Sequence, residues 1–168
     1  MRTIFGKLFV IALFFTGAIS FTGCSTVDDG AYAAPITLTE KIGGKWVVNS
    51  VTQTDETNAK TKTLTNLLDF NTFVINLSRD AQGNASAFSV EGKAPELLSL
   101  SGTWHMENEF TNSNGSASRI FLNDGSKDTK LTVTTVPGNT KILEFKLTRN
   151  TSGQPYVSYT YNLMQSVE

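Results

Sequence analysis

Eight short stretches of the chain alternate apolar with polar side chains. They centre on Trp46-Val48, Phe73-Ile75-Leu77, Phe88-Val90, Trp104-Met106, Ile120-Leu122, Leu131-Val133, Leu143-Phe145-Leu147 and Val157-Tyr159-Tyr161-Leu163. Successive side chains of a strand point to opposite faces, so a period of two marks a strand with one dry and one wet face. Glu144 and Lys146 occupy the wet phase of the seventh stretch, and Ser158, Thr160 and Asn162 that of the eighth. Turn residues separate the stretches: Asp80 to Asn84 around Gly83, Asn123-Asp124-Gly125, Pro137-Gly138-Asn139, and Asn150 to Pro155 around Gly153. Such residues supply hairpin dihedrals, and connections this short join antiparallel neighbours, because parallel pairing needs crossovers of a dozen or more residues. The pattern predicts an all-β antiparallel meander that closes into an eight-stranded up-and-down barrel or splits into a sandwich.

Two other elements precede or interrupt the meander. Thr37-Leu38-Thr39-Glu40 has capping-box spacing and Gly43-Gly44 follows as a stop, so a short helical turn is expected before the first strand. The first connection, Asp55 to Asn71, is long, with a turn or helix expected over Leu64 to Phe70. Long connections are where lids sit.

The first 23 residues carry a different pattern: a basic start with Arg2 and Lys7, an apolar run from Leu8 to Ile19, then small residues before Cys24. This is the layout of an export signal, and the run, broken by Thr16 and Ser20, is short of the ~20 residues a spanning helix needs. Phe21-Thr22-Gly23-Cys24 resembles the end of a type II signal peptide. The resemblance implies a diacylglycerol on the Cys24 sulfur, an amide-linked chain such as palmitate, and Cys24 as the new N-terminus. More than one hydrocarbon chain gives stable attachment, whereas a single chain binds only marginally. Cys24 is the only cysteine, so no disulfide forms within one molecule. Ser25-Thr26-Val27-Asp28-Asp29 is similar to the surface-export signal of Bacteroidetes lipoproteins, which implies outer-membrane placement; a plain solvated tether is the alternative. The expected organisation is a signal peptide over 1–23, a tether over 24–35 reaching at most ~35 to 40 Å, and a barrel domain over 36–168.

Removing the leader leaves 145 residues, with twelve basic against fifteen acidic side chains. That length suits one domain with a core that needs no disulfide. Lysines and arginines are dispersed, which argues against nucleic acid as a partner. His105 is the only histidine, and alternation with Trp104 and Met106 turns it to the outer face. With one outward histidine and an acylated cysteine, neither a histidine-based triad nor a clustered zinc site can be assembled. Asn123 to Asp128 superficially resembles a calcium loop but lacks the closing carboxylate and reads as a hairpin turn. Glu107, Glu109, Asp55 and Glu56 are carboxylates without a pattern that singles them out for glycosidase chemistry. The three Asn-x-Ser/Thr matches at Asn84, Asn114 and Asn150 fall in turn-rich segments and read as loop composition. The expectation is a protein that is not an enzyme and carries no cofactor or metal.

Gly44-Lys45-Trp46, just after the expected helical turn, resembles the Gly-x-Trp start of the lipocalin and calycin group, and Ser101-Gly102-Thr103-Trp104 repeats it. From Ile42 through Tyr161 the chain is similar to lipocalin-like lipoproteins of unknown function from Bacteroidetes. The resemblance implies a barrel floor closed by Trp46, with a basic residue over it; the last strand offers none, and Arg149 is the nearest candidate. Two functions remain open. One is a cup that binds a small apolar or amphipathic ligand against Phe88, Trp104, Met106, Phe145, Tyr159 and Tyr161, which alternation places on the apolar face. The other is a structural or interaction module whose barrel is filled by its own side chains and whose partner is another envelope protein.

Overall fold

In a computed structural model, which describes residues 33–166, each of the eight alternating stretches falls on a strand, with Phe73 immediately before its own. A short helix α1 (Leu38–Ile42) precedes β1 (Gly44–Asp55), β2 (Lys60–Thr63), a 3-10 turn (Phe70–Thr72), β3 (Val74–Arg79), β4 (Ala85–Glu91) and β5 (Ser101–Met106). There follow β6 (Arg119–Asn123), β7 (Asp128–Thr135), β8 (Ile142–Thr151) and β9 (Gln154–Gln165). All pairings are antiparallel, and β1 pairs with β9 along Trp46 to Asp55, which closes β1 and β3 to β9 into an eight-stranded up-and-down barrel. That pairing decides for the barrel over the sandwich. Every strand lies in the compact unit Pro35–Glu168. The leader, Cys24 and most of the tether lie outside the described residues.

The ninth strand, β2, escapes the hydrophobic pattern because Lys60-Thr61-Lys62-Thr63 has no apolar residue and is exposed throughout. It exists because β1 runs on to Asp55, whose carboxylate accepts hydrogen bonds from the Thr57 amide (2.9 Å), the Thr57 hydroxyl (2.6 Å) and Asn58 (2.8 Å) and so builds a turn. β2 pairs only with the far half of β1 and is the one strand of the described sheet with a single neighbour. Between the β3 and β2 pairings, the Val48 and Val51 amides donate to Phe73 O (3.1 Å) and Thr65 Oγ1 (3.0 Å). The segment from Leu64 to Phe73 therefore takes a strand's place on that edge. It forms turns rather than a helix, with Leu68 and Asp69 both left-handed at φ 52° and 60°.

One end of the barrel is sealed. Thr37 and Glu40 cap each other reciprocally (Thr37 N to Glu40 Oε2 2.9 Å, Glu40 N to Thr37 Oγ1 3.2 Å), which starts α1. Leu38 and Ile42 are its buried side. The Trp46 indole donates to the Ile42 carbonyl at 2.7 Å, so the helix and the first strand lock into one floor. The second Gly-x-Trp does related work: Trp104 Nε1 donates to Ser78 O (2.7 Å), a carbonyl at the point where the β3–β4 register shifts. Both motif glycines, Gly44 and Gly102, have positive φ.

Between the two ends the interior is packed with the chain's own rings. Trp46, Trp104, Phe73, Phe145 and Tyr161 are fully buried, and Tyr161 sits between Phe73 (ring centres 4.6 Å apart) and Phe145 (5.3 Å). Each such side chain removed from water contributes about 1.5 to 3 kcal/mol, and aromatic pairing adds about 0.5 to 1.5.

Candidate functional site at the barrel mouth

The six side chains assigned by alternation to the apolar face divide into two groups. Phe88, Trp104, Phe145 and Tyr161 are buried in the core, and Met106 is half-buried against it. Tyr159, also half-buried, reaches the open end and is the one of the six that lines the clefts there. The Tyr161 hydroxyl is buried without a hydrogen-bond partner, and burial holds its ionisation well above the usual tyrosine range. Leaving a hydroxyl in that state costs about 1 to 3 kcal/mol.

What lines the mouth is set by a bulge. Asn49 is an extra residue in β1, between Val48 opposite Leu163 and Ser50 opposite Asn162. A bulge inserts one residue and resets the phase. The inward positions after Val48 are therefore Val51, Gln53 and Asp55, opposite Tyr161, Tyr159 and Val157. On the other side of β9, Leu147 opposes Tyr159 and Arg149 opposes Val157. Asp55, Val157 and Arg149 thus form one cross-strand row, with Asp55 and Arg149 two strand spacings, about 10 Å, apart.

Two clefts open above this row. The first, about 480 Å³, is lined by Gln53, Asp55, Thr57, Arg149, Tyr156, Val157 and Tyr159. The second, about 330 Å³, lies between the same hairpin and the two long loops, against Leu68, Phe70, Lys93, Pro95 and Leu97. Arg149 and Tyr159 belong to both. The Asp55 carboxylate is committed to its own turn, and the Thr57 hydrogen bonds hold its pKa below the ordinary value. The Arg149 guanidinium rests over the Tyr156 ring, 5.7 Å from its centre, and forms no ion pair among the described residues.

The loops around the clefts are tied down. Ser99 on the β4–β5 loop donates to Asp124 in the β6–β7 hairpin (2.7 Å), and this bond, with those from Ser126 and Lys127, holds the Asp124 carboxyl far below the usual range. The Lys93 amide donates to Thr72 Oγ1 (3.0 Å), joining the β4–β5 loop to the 3-10 turn. Leu68, 74% exposed, sits on the strained left-handed pair at the rim. Left-handed backbone at a residue with a side chain costs roughly 1 kcal/mol or more.

Other candidates resolve to structural roles. Arg149 does not cover Trp46 but stands at the opposite end; the basic side chain at the floor is Arg79 of β3, whose stem lies against Gly43. His105 is exposed on the outer wall, stacked on Phe121 (5.0 Å), with Lys130 over the same Phe121 ring (5.6 Å). Glu107 pairs with Arg119 (2.9 Å) and Glu56 with Lys146 (2.6 Å). Among the described residues no group of three or more His, Cys, Asp or Glu is placed to hold a metal ion. Gln53, Asp55 and Arg149 are mouth residues that alternation missed. The only signal for the first two was the polar run after Val51, Thr52 to Asp55, where apolar alternation has stopped.

A family model described as Domain of unknown function (DUF5004) matches residues 20–164. No curated protein and no solved structure matches the chain.

Proposed function

We propose that this chain, which belongs to the DUF5004 family, is a lipid-anchored outer-membrane binding module that holds a small amphipathic ligand at the barrel mouth. The observation that carries this reading is the convergence of two clefts on Arg149 and Tyr159 at the open end of a barrel whose other end is sealed. Their sizes fall at the lower end of small-molecule sites, and their linings mix apolar with polar side chains, as an amphipathic ligand requires. The ligand lies above the packed aromatic interior rather than within it. Tyr159 supplies the floor between the clefts, Leu68 and Phe70 one wall, Pro95 and Leu97 the other, and Arg149 the polar anchor. No catalytic step is assigned: the one histidine is on the outer wall.

The anchoring half of the proposal rests on Cys24 and the leader before it. Changing Cys24 to Ser should abolish incorporation of labelled palmitate; normal labelling of that variant would remove the lipoprotein assignment. The described chain enters the barrel at α1, on the sealed end.

For the binding half, an environment-sensitive apolar dye should bind residues 35–168 saturably, and Tyr159→Ala should weaken it about tenfold, the loss of a central contact. Phe145→Ala should act on stability instead. A second reading, the interaction module, is favoured by the filled interior and by Leu67, Leu68 and Leu100, all exposed. Absence of saturable dye binding would favour it.

A further inference from the structure

We infer that the polar end of the ligand is anionic and that Arg149 receives it, so that the ligand class is an anionic amphiphile: an apolar chain ending in a carboxylate or a phosphate. The inference rests on the mouth being the binding site. It starts from the inward row of β8, where Leu143, Phe145 and Leu147 are all buried core residues and the next inward position is Arg149. Arg149 is exposed at the end of this dry row, and no carboxylate among the described residues pairs with it, so its guanidinium is free to receive an anion from solution. The carboxylate on its cross-strand row, Asp55, is two strands away and already accepts three hydrogen bonds from its own turn.

The guanidinium also has one neighbour, the Tyr156 ring 5.7 Å away. Its planar fork of donors matches a carboxylate or phosphate in two parallel hydrogen bonds. Arg149 stands on the ridge between the clefts, so an anion bound there is adjacent to the apolar walls of Leu68, Phe70, Pro95 and Leu97. Lys93 at the edge of that cleft adds a second positive charge, set against Glu96. Head and chain thus meet complementary surfaces within one cleft.

The test uses residues 35–168, the unit that holds every strand and the whole described core. Four probes below their micelle-forming concentrations are titrated by calorimetry: decanoate, decyl phosphate, decanol and decyltrimethylammonium. Decanoate or decyl phosphate, or both, should bind with one site per chain and more tightly than the neutral and cationic probes. Arg149→Gln should weaken the anions about tenfold, the worth of a charge-assisted contact, and should weaken decanol much less, while the melting temperature stays unchanged. Which anion binds tighter separates the carboxylate from the phosphate head, and either preference supports the assignment. Equal binding of all four probes, or an Arg149→Gln protein that binds anions as well as wild type does, overturns the assignment while leaving the mouth site standing. Failure of the dye and all four probes to bind overturns the mouth site as well.

Discussion

Trp46→Ala should lower the stability of residues 35–168 by about 3 to 5 kcal/mol, the range for truncating a buried large aromatic. The indole is fully buried, so its loss opens a cavity at the floor. It also removes the donor to the Ile42 carbonyl, leaving that acceptor at the end of α1 unpaired. A helix of five residues does not hold itself together. It depends on its cap, on Leu38 and Ile42, and on this bond, so the floor should loosen as a unit. Urea unfolding followed by circular dichroism gives the number, with fluorescence of the remaining Trp104 as a second probe. A loss below about 0.5 kcal/mol would place Trp46 outside the core and sink the account of the floor.

Gly102→Ala should be comparably damaging, at about 2 to 5 kcal/mol, although it adds a single methyl group. Gly102 has φ +152°, and a Cβ built there would overlap the carbonyl oxygen of Asn123 on the neighbouring strand and press on the Phe88 ring. Backbone, not a flexible side chain, is in the way. Overpacking costs about 1 to 3 kcal/mol and an unfavourable backbone region about as much again. The Phe88 to Gly102 pairing between β4 and β5, one of only three in that ladder, should be the first to weaken. A melting temperature within a degree of wild type would show that the strands can part to admit a methyl.

The barrel was legible because its inward positions are spelled in side chains with a clear apolar period, from Ile75-Leu77 to Tyr161-Leu163. The capping box was legible for the same kind of reason: both of its hydrogen bonds come from residues three apart in sequence. β2 was not, since Lys60 to Thr63 is formed by the reach of β1 and by the turn at Asp55, neither of which leaves an apolar trace. The mouth was hidden by Asn49. Extrapolated from Trp46 and Val48, alternation points Ser50, Thr52 and Thr54 inward, whereas the bulge puts Val51, Gln53 and Asp55 there. A one-residue slip in phase turns every later side chain to the other face. Arg149 kept its phase and lost its place for another reason. Alternation gives a face but not a height along the barrel, and the height came from the pairing of Arg149 with Val157.

The single-neighbour strand β2 bears on how copies of this protein tolerate one another. A closed barrel offers no main-chain groups for another molecule to pair with, so growth by strand addition has to begin at β2. That edge is four residues long and carries Lys60 and Lys62. Two copies meeting edge to edge would bring four ammonium groups together across a single ladder, and like charges in such pairs repel. The mixed lysine and threonine of β2 therefore act as a guard against edge-to-edge aggregation.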